Sequence, residues 1–177
     1  MARIETAERE PATSAWSAKG QKITTFLAFS DQAEEAIKTY TSVFKNSRIL
    51  SLQKSETDGP IAKGKVLGAE FELEGQRFMA MDGGPHFQFN DGVSLFVSCD
   101  TQEEIDYYWG KLSAGSTDTG QCGWITDRFG LRWQIVPRIL GQLLSDSKSG
   151  NSQKAMEAML KMKKLDIAAL QRAYAQK

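Results

Sequence analysis

The chain carries the same pattern twice. Lys22 to Phe29 reads as a strand, and Asp31-Gln-Ala-Glu34 opens an amphipathic helix behind it. About seventy residues on, Val93 to Cys99 reads as a strand and Thr101-Gln-Glu-Glu104 opens a second helix. Each helix is followed by glycine-punctuated, strand-like sequence. A strand-helix-strands unit that occurs twice implies two copies of one small module.

Within the first copy, Asp31 with Glu34 three residues on predicts a capping box, and Ala33, Ile37, Tyr40 and Phe44 follow at helical spacing. Arg48 to Gln53 resumes as strand. Lys65 to Glu74 alternates, with Leu67, Ala69, Phe71 and Leu73 on one face and three glutamates on the other, the mark of a half-buried strand. Glu74-Gly75-Gln76 is a hairpin signal returning through Arg77 to Asp82. Gly83-Gly84-Pro85 and the segment to Gly92 form a break. The second copy adds a helix over Glu104 to Leu112 and strands over Gln121 to Thr126 and Leu131 to Val136, with Asp127-Arg-Phe-Gly130 as the turn between them. Helix formers then dominate: Ile139 to Leu144, Gln153 to Lys163, and Asp166 to Ala175 with Asp166 as cap. The expected organisation is a flexible N-terminal extension over residues 1–21, modules at about 22–84 and 93–137, and a C-terminal helical extension over 138–177.

Charge excludes some partners. Twenty-two basic and 22 acidic residues cancel, so no global field draws the chain to nucleic acid or to an anionic membrane. No apolar run approaches the ~20 residues of a membrane span. Cys99 and Cys122 are the only cysteines and read as reduced thiols of a cytoplasmic protein, with a disulfide between neighbouring strands as the alternative.

The catalytic signals are sparse. Gly59 to Val66 approaches a phosphate-binding loop, but Val66 stands where a magnesium-holding hydroxyl is needed, and a strand follows instead of a helix. There is no G-x-G-x-x-G element, which argues against a dinucleotide or methyl donor in a doubly wound site. His86 is the only histidine, so no multi-histidine metal site exists within one chain. Asp82, His86 and Cys99 remain as acid-base or nucleophilic candidates. Phe87, Phe89, Phe96, Trp124 and Trp133 are aromatics that serve either packing or a pocket, and Met156, Met159 and Met162 read as adaptable packing.

Several strings together resemble a known family: Gln76-Arg-Phe-Met-Ala-Met-Asp-Gly-Gly-Pro85, Phe87-Gln-Phe-Asn90, Val93 to Cys99, Cys122-Gly-Trp124, Asp127 to Pro137 and Ala155 to Leu160. From Lys22 to Tyr174 the chain resembles the PhnB-like branch of the vicinal-oxygen-chelate superfamily, relatives of glyoxalase I and the bleomycin-resistance proteins. Some of these relatives carry a demethylubiquinone methyltransferase label. The resemblance implies an α+β fold of paired βαβββ modules forming a cupped, mostly antiparallel eight-stranded sheet, with C-terminal helices, and a homodimer. The superfamily's His and Glu metal ligands fall near Thr24, Met79, Val93 and Gln134, none of them a histidine or carboxylate. A single amide oxygen cannot hold a catalytic ion, so no metal and no cofactor is expected. What survives is a concave ligand pocket lined by Thr24, Phe26, Met79, Met81, Phe96, Trp133 and Gln134. The expected role is binding of a small molecule. A metal-independent or atypically metal-dependent enzyme is the alternative, and a structural protein with a plugged cup is the third reading.

Overall fold

The computed structural model describes residues 21–116, 118–145 and 151–176. The chain divides between Phe87 and Gln88 into two compact units. Apart from Gln21, the N-terminal extension lies outside the described residues. No helix among the described residues is long and apolar enough to cross a membrane.

The first unit contains β1 (Thr25–Phe29), α1 (Ala33–Val43), β2 (Ser47–Lys54), β3 (Val66–Leu73) and β4 (Gln76–Asp82). Its sheet has the order β1-β4-β3-β2, with β1 parallel to β4 and the other pairs antiparallel. Two-residue alternation sends Leu27, Phe29, Ala69, Phe71, Phe78 and Ala80 to one face, where they are buried with Ala33, Ala36, Ile37 and Tyr40 of α1. Phe71 and Phe78 are register partners and stack with centroids 5.3 Å apart. The β3–β4 hairpin turns on Glu74 and Gly75, both at positive φ (46° and 81°), as a two-residue turn of matching twist requires.

The second unit repeats this order. It contains β5 (Leu95–Cys99), α2 (Gln102–Leu112), β6 (Asp118–Thr119), β7 (Trp124–Thr126) and β8 (Arg132–Pro137), with sheet order β5-β8-β7-β6. Again the first and last strands are parallel and the rest antiparallel. Ile125, Trp133 and Ile135 are buried, as are Ile105 and Leu112 of α2. The fold is therefore α+β, with eight strands hydrogen-bonded as two four-stranded sheets of identical topology.

Two local expectations are corrected. Asp31 does not cap α1. The N-cap is Gln32, which makes no side-chain cap bond, and a carboxylate from β4 takes the role: Asp82 Oδ1 accepts from Ala33 N at 2.8 Å. The strand expected from Gln121 begins only at Trp124, because Cys122 and Gly123 turn at positive φ (58° and 85°). By contrast Thr101 caps α2, accepting from Glu104 N, while Glu104 reaches back to Asp100 N at 2.7 Å.

Three helices follow, α3 (Ile139–Ser145), α4 (Asn151–Leu160) and α5 (Ile167–Ala175), the last capped by Asp166. Leu140, Leu143, Ala155, Leu165 and Leu170 form their core, which Val136 of β8 joins. The turn after α4 is tied to the second sheet by backbone bonds. Cys122 N donates to Met162 O and Gly123 N to Lys163 O, each at 2.7 Å.

Candidate functional site

In each sheet one face packs against its helix, and the other carries most of the pocket residues singled out in the sequence. In the first unit, register places Phe26 beside Met79 and Ala28 beside Met81. Phe26 is 41% exposed; Thr24, Met79 and Met81 are half-buried. Glu70 completes the row on the far side of Met79. Although a charged residue, it is only 5% exposed, and its Oε1 accepts from Arg77 Nη1 at 2.8 Å.

In the second unit Phe96 pairs with Gln134 as Phe26 pairs with Met79. Phe96 is 59% exposed. The Gln134 amide donates to Ser94 Oγ at 2.8 Å. Trp133 belongs to the other face, because neighbours along a strand point to opposite sides. It is 2% exposed, and its indole N–H donates to Asp127 Oδ2 at 2.8 Å. The expectation that Trp133 shares a surface with Gln134 is thus corrected: Trp133 is a core residue.

Sequence reasoning missed one residue of the Gln134 face, Arg132, and left a second, Trp124, open between packing and a pocket. Trp124 is the register partner of Gln134 on β7, and Arg132 lies two residues before it on β8. The period-two rule applied outward from Gln134 finds Arg132; Trp124 needs the register itself.

The three catalytic candidates fare differently. Asp82 is buried, with Oδ1 bound to Ala33 N and Oδ2 to Val66 N, both at 2.8 Å. It ties α1 and β3 to the end of β4 and has a framework role. Cys99 is fully buried; desolvation, with Glu104 and Asp100 adding like-charge repulsion, pushes its thiol up to about 12. A thiol so protonated is no nucleophile near neutrality. His86 is exposed in the turn after Gly84. Both cysteines are free thiols. A separate groove of about 580 Å³ lies at the start of α1, and several of its charged wall residues are tied in pairs, Lys65 with Asp31 and Lys38 with Glu34.

Residues 21–136 match the model of the 3-demethylubiquinone-9 3-methyltransferase family. The chain belongs to that family. Among solved structures it is similar to the PhnB protein from Bacillus cereus, with 39% identity over 66% of this chain and 99% of that one and a TM-score of 0.61. It is also similar to protein PA1353 from Pseudomonas aeruginosa, at 20% identity, 67% and 98% coverage and a TM-score of 0.55. A glyoxylase/bleomycin resistance/dioxygenase domain from Frankia sp. EAN1pec follows at 17% identity, 68% and 93% coverage and a TM-score of 0.44. No curated protein matches significantly. The identity to PhnB bears out the PhnB-like resemblance, and both units have the βαβββ order of elements it implied. Helices α3 to α5 lie beyond the matched region.

At the positions where the resemblance places metal ligands stand Thr24 and Met79 in the first unit and Val93 and Gln134 in the second, none of them a histidine or carboxylate. Glu70, the carboxylate beside Met79, is committed to Arg77. Among the described residues no three His, Cys, Asp or Glu side chains gather as a metal would require.

Proposed function

We propose that this member of the family binds small organic molecules on the face of each sheet that its own helix leaves uncovered. Thr24, Phe26, Met79 and Met81 supply the contacts in the first unit, and Phe96 and Gln134 in the second. The observation that carries this reading is the repeat of one register. A half-exposed aromatic ring stands at the same place in both sheets, beside Met79 in one and Gln134 in the other. Large exposed rings on a strand are surface that a partner molecule can desolvate. The rings give apolar contact, and Thr24 and Gln134 orient polar groups of the ligand.

The family's name describes a methyl transfer. Neither parallel strand pair is joined through the glycine-rich turn that seats a cofactor in doubly wound folds, so binding is the part of such an activity that these residues support. A metal-independent reaction loses two of its three candidate groups, since Asp82 and Cys99 serve the framework. The protein is proposed to act as a cytoplasmic homodimer.

Native mass spectrometry of freshly purified protein tests this reading. A metal-free dimer retaining an organic mass is the expected result, and a stoichiometric divalent metal would overturn it. For a ligand so identified, Phe26→Ala and Phe96→Ala should each weaken binding about tenfold, the order of a lost aromatic contact. Unchanged affinity in both variants would show the faces are wrongly assigned.

A further inference from the structure

The two open faces differ where the first has Glu70 and the second Trp124, and that difference leaves an arginine paired outside its own strand row. In the first unit Met79 lies between Phe26 and Glu70, and Arg77, two residues before Met79, lies opposite Glu72. In the second unit Gln134 lies between Phe96 and Trp124, and Arg132, two residues before it, lies opposite Thr126. Trp124 thus takes the place of Glu70, the carboxylate that neutralises Arg77. Arg132 finds its counter-charges elsewhere. Its Nη1 donates to Asp118 Oδ2 on β6 at 3.1 Å and to Thr126 Oγ1. Its Nε donates to Asp91 Oδ1 at 2.7 Å, and Nη2 lies 2.5 Å from the same oxygen. Asp91 belongs to the segment that leads into β5, and its side chain is 79% exposed, against 20% for Arg132.

We infer that Arg132 is the anion-binding group of this face. It takes a small molecule with a flat apolar body and one carboxylate, and Asp91 is the internal competitor which that carboxylate displaces. The inference rests on the proposed binding role of the face and names the chemical class it accepts. The Nε/Nη2 edge of a guanidinium is a planar fork suited to a carboxylate, and a carboxylate on a surface segment already sits on it. One carboxylate replaces another on the same fork, and the released Asp91, already mostly exposed, returns to water, so the exchange is close to neutral in electrostatic terms. The apolar body, resting on Phe96 and Trp124, then supplies the net binding. Asp118 and Thr126 stay in place and hold Nη1. Because Asp118 remains against the same guanidinium, a dianion such as phosphate meets more repulsion from it than a single carboxylate does. Ser94, which holds Gln134, lies on the same segment as Asp91, so the departure of Asp91 happens beside a fixed point.

The test compares 2-naphthoate with its neutral analogue 2-naphthalenemethanol, titrated calorimetrically at low salt into the full chain. Naphthoate should bind the wild-type protein more tightly than the alcohol. Asp91→Asn should tighten naphthoate several-fold and leave the alcohol unchanged. Arg132→Gln should weaken naphthoate by about tenfold or more, the order of a charge-assisted contact, while retained alcohol binding shows that the variant is folded. Arg132→Lys, which keeps the charge and loses the fork, should fall between the two. Equal binding of both probes, indifferent to Arg132 and Asp91, would overturn the inference and leave the binding face standing. Failure of both probes to bind any form would remove the face and the inference together.

Discussion

Asp82 caps a helix from which 49 residues separate it: its Oδ1 accepts from Ala33 N, the first residue of α1, at 2.8 Å. The other oxygen accepts from Val66 N at the start of β3, also at 2.8 Å. One buried carboxylate therefore fixes the ends of three elements. Asp82→Ala removes both acceptors from buried N–H groups and should cost about 3 kcal/mol or more. Asp82→Asn should cost nearly as much, because an amide can accept from only one of the two donors and presents its NH₂ to the other. Urea midpoints measure both. If Asp82→Asn were as stable as wild type, the double-acceptor role would be wrong.

Cys99 gives a pH dependence with a definite sign. Burial raises its thiol from an ordinary value of 9.0 to about 12. Below 9 the thiol is protonated in both native and unfolded chains and has no effect on the balance. Between 9 and 12 the unfolded chain has released a proton that the native one keeps, so stability falls as pH rises through that window. Cys99→Ala should make that fall shallower, as read by melting temperature against pH. A thiol reagent at pH 8 should leave Cys99 unmodified until the protein is denatured. Rapid labelling in the native state would contradict its burial.

Much of this fold was legible because it depends on short-range pattern. The repeat showed in the spacing of strand-like and helical segments, and Thr101 with Glu104 caps α2 within four residues of chain. Asp31 and Glu34 look equally good on paper, yet Asp82 takes the role through a contact that no local rule contains. Strand β6 is two residues long, too short for any period to register. Cys122 at positive φ follows from the turn against Met162 and Lys163, which again is tertiary. The proposed binding face was legible only in part. Phe26, Met79, Phe96 and Gln134 fell on open faces, but placing Trp133 with Gln134 ignored the alternation of the strand. Arg132 became visible, and Trp124 found its face, only when register set them beside Gln134.

Trp133 and Phe96 make a paired test of that distinction. Trp133→Phe keeps an aromatic ring in the core and deletes the bond to Asp127 Oδ2. It should lower stability by about 1–2 kcal/mol and leave the affinity of any ligand on the Gln134 face unchanged. Phe96→Ala should do the reverse, since a side chain 59% exposed holds little of the core. Denaturation and titration on the same two variants separate the roles. A ligand that loses affinity with Trp133→Phe, at unaltered stability, would return Trp133 to the binding face.

Gly123 decides whether the C-terminal helices stay attached. Its φ is +85°, and an added Cβ would stand 2.6 Å from Ile135 O, a backbone atom that cannot swing aside. The same residue donates to Lys163 O and accepts from Ile135 N at 2.8 Å, so it joins β8 to the turn after α4. Gly123→Ala therefore combines left-handed strain with a steric clash at the junction, a cost of about 2 kcal/mol or more. Because Leu165 packs 3.3 Å from that Cβ position, the displacement should loosen α4 and α5 before it disturbs the sheet. Limited proteolysis should cut the variant between α3 and α5 under conditions in which the wild type is intact, while the 21–136 region survives. Simultaneous loss of both regions would mean that the helices and the second sheet unfold as one unit.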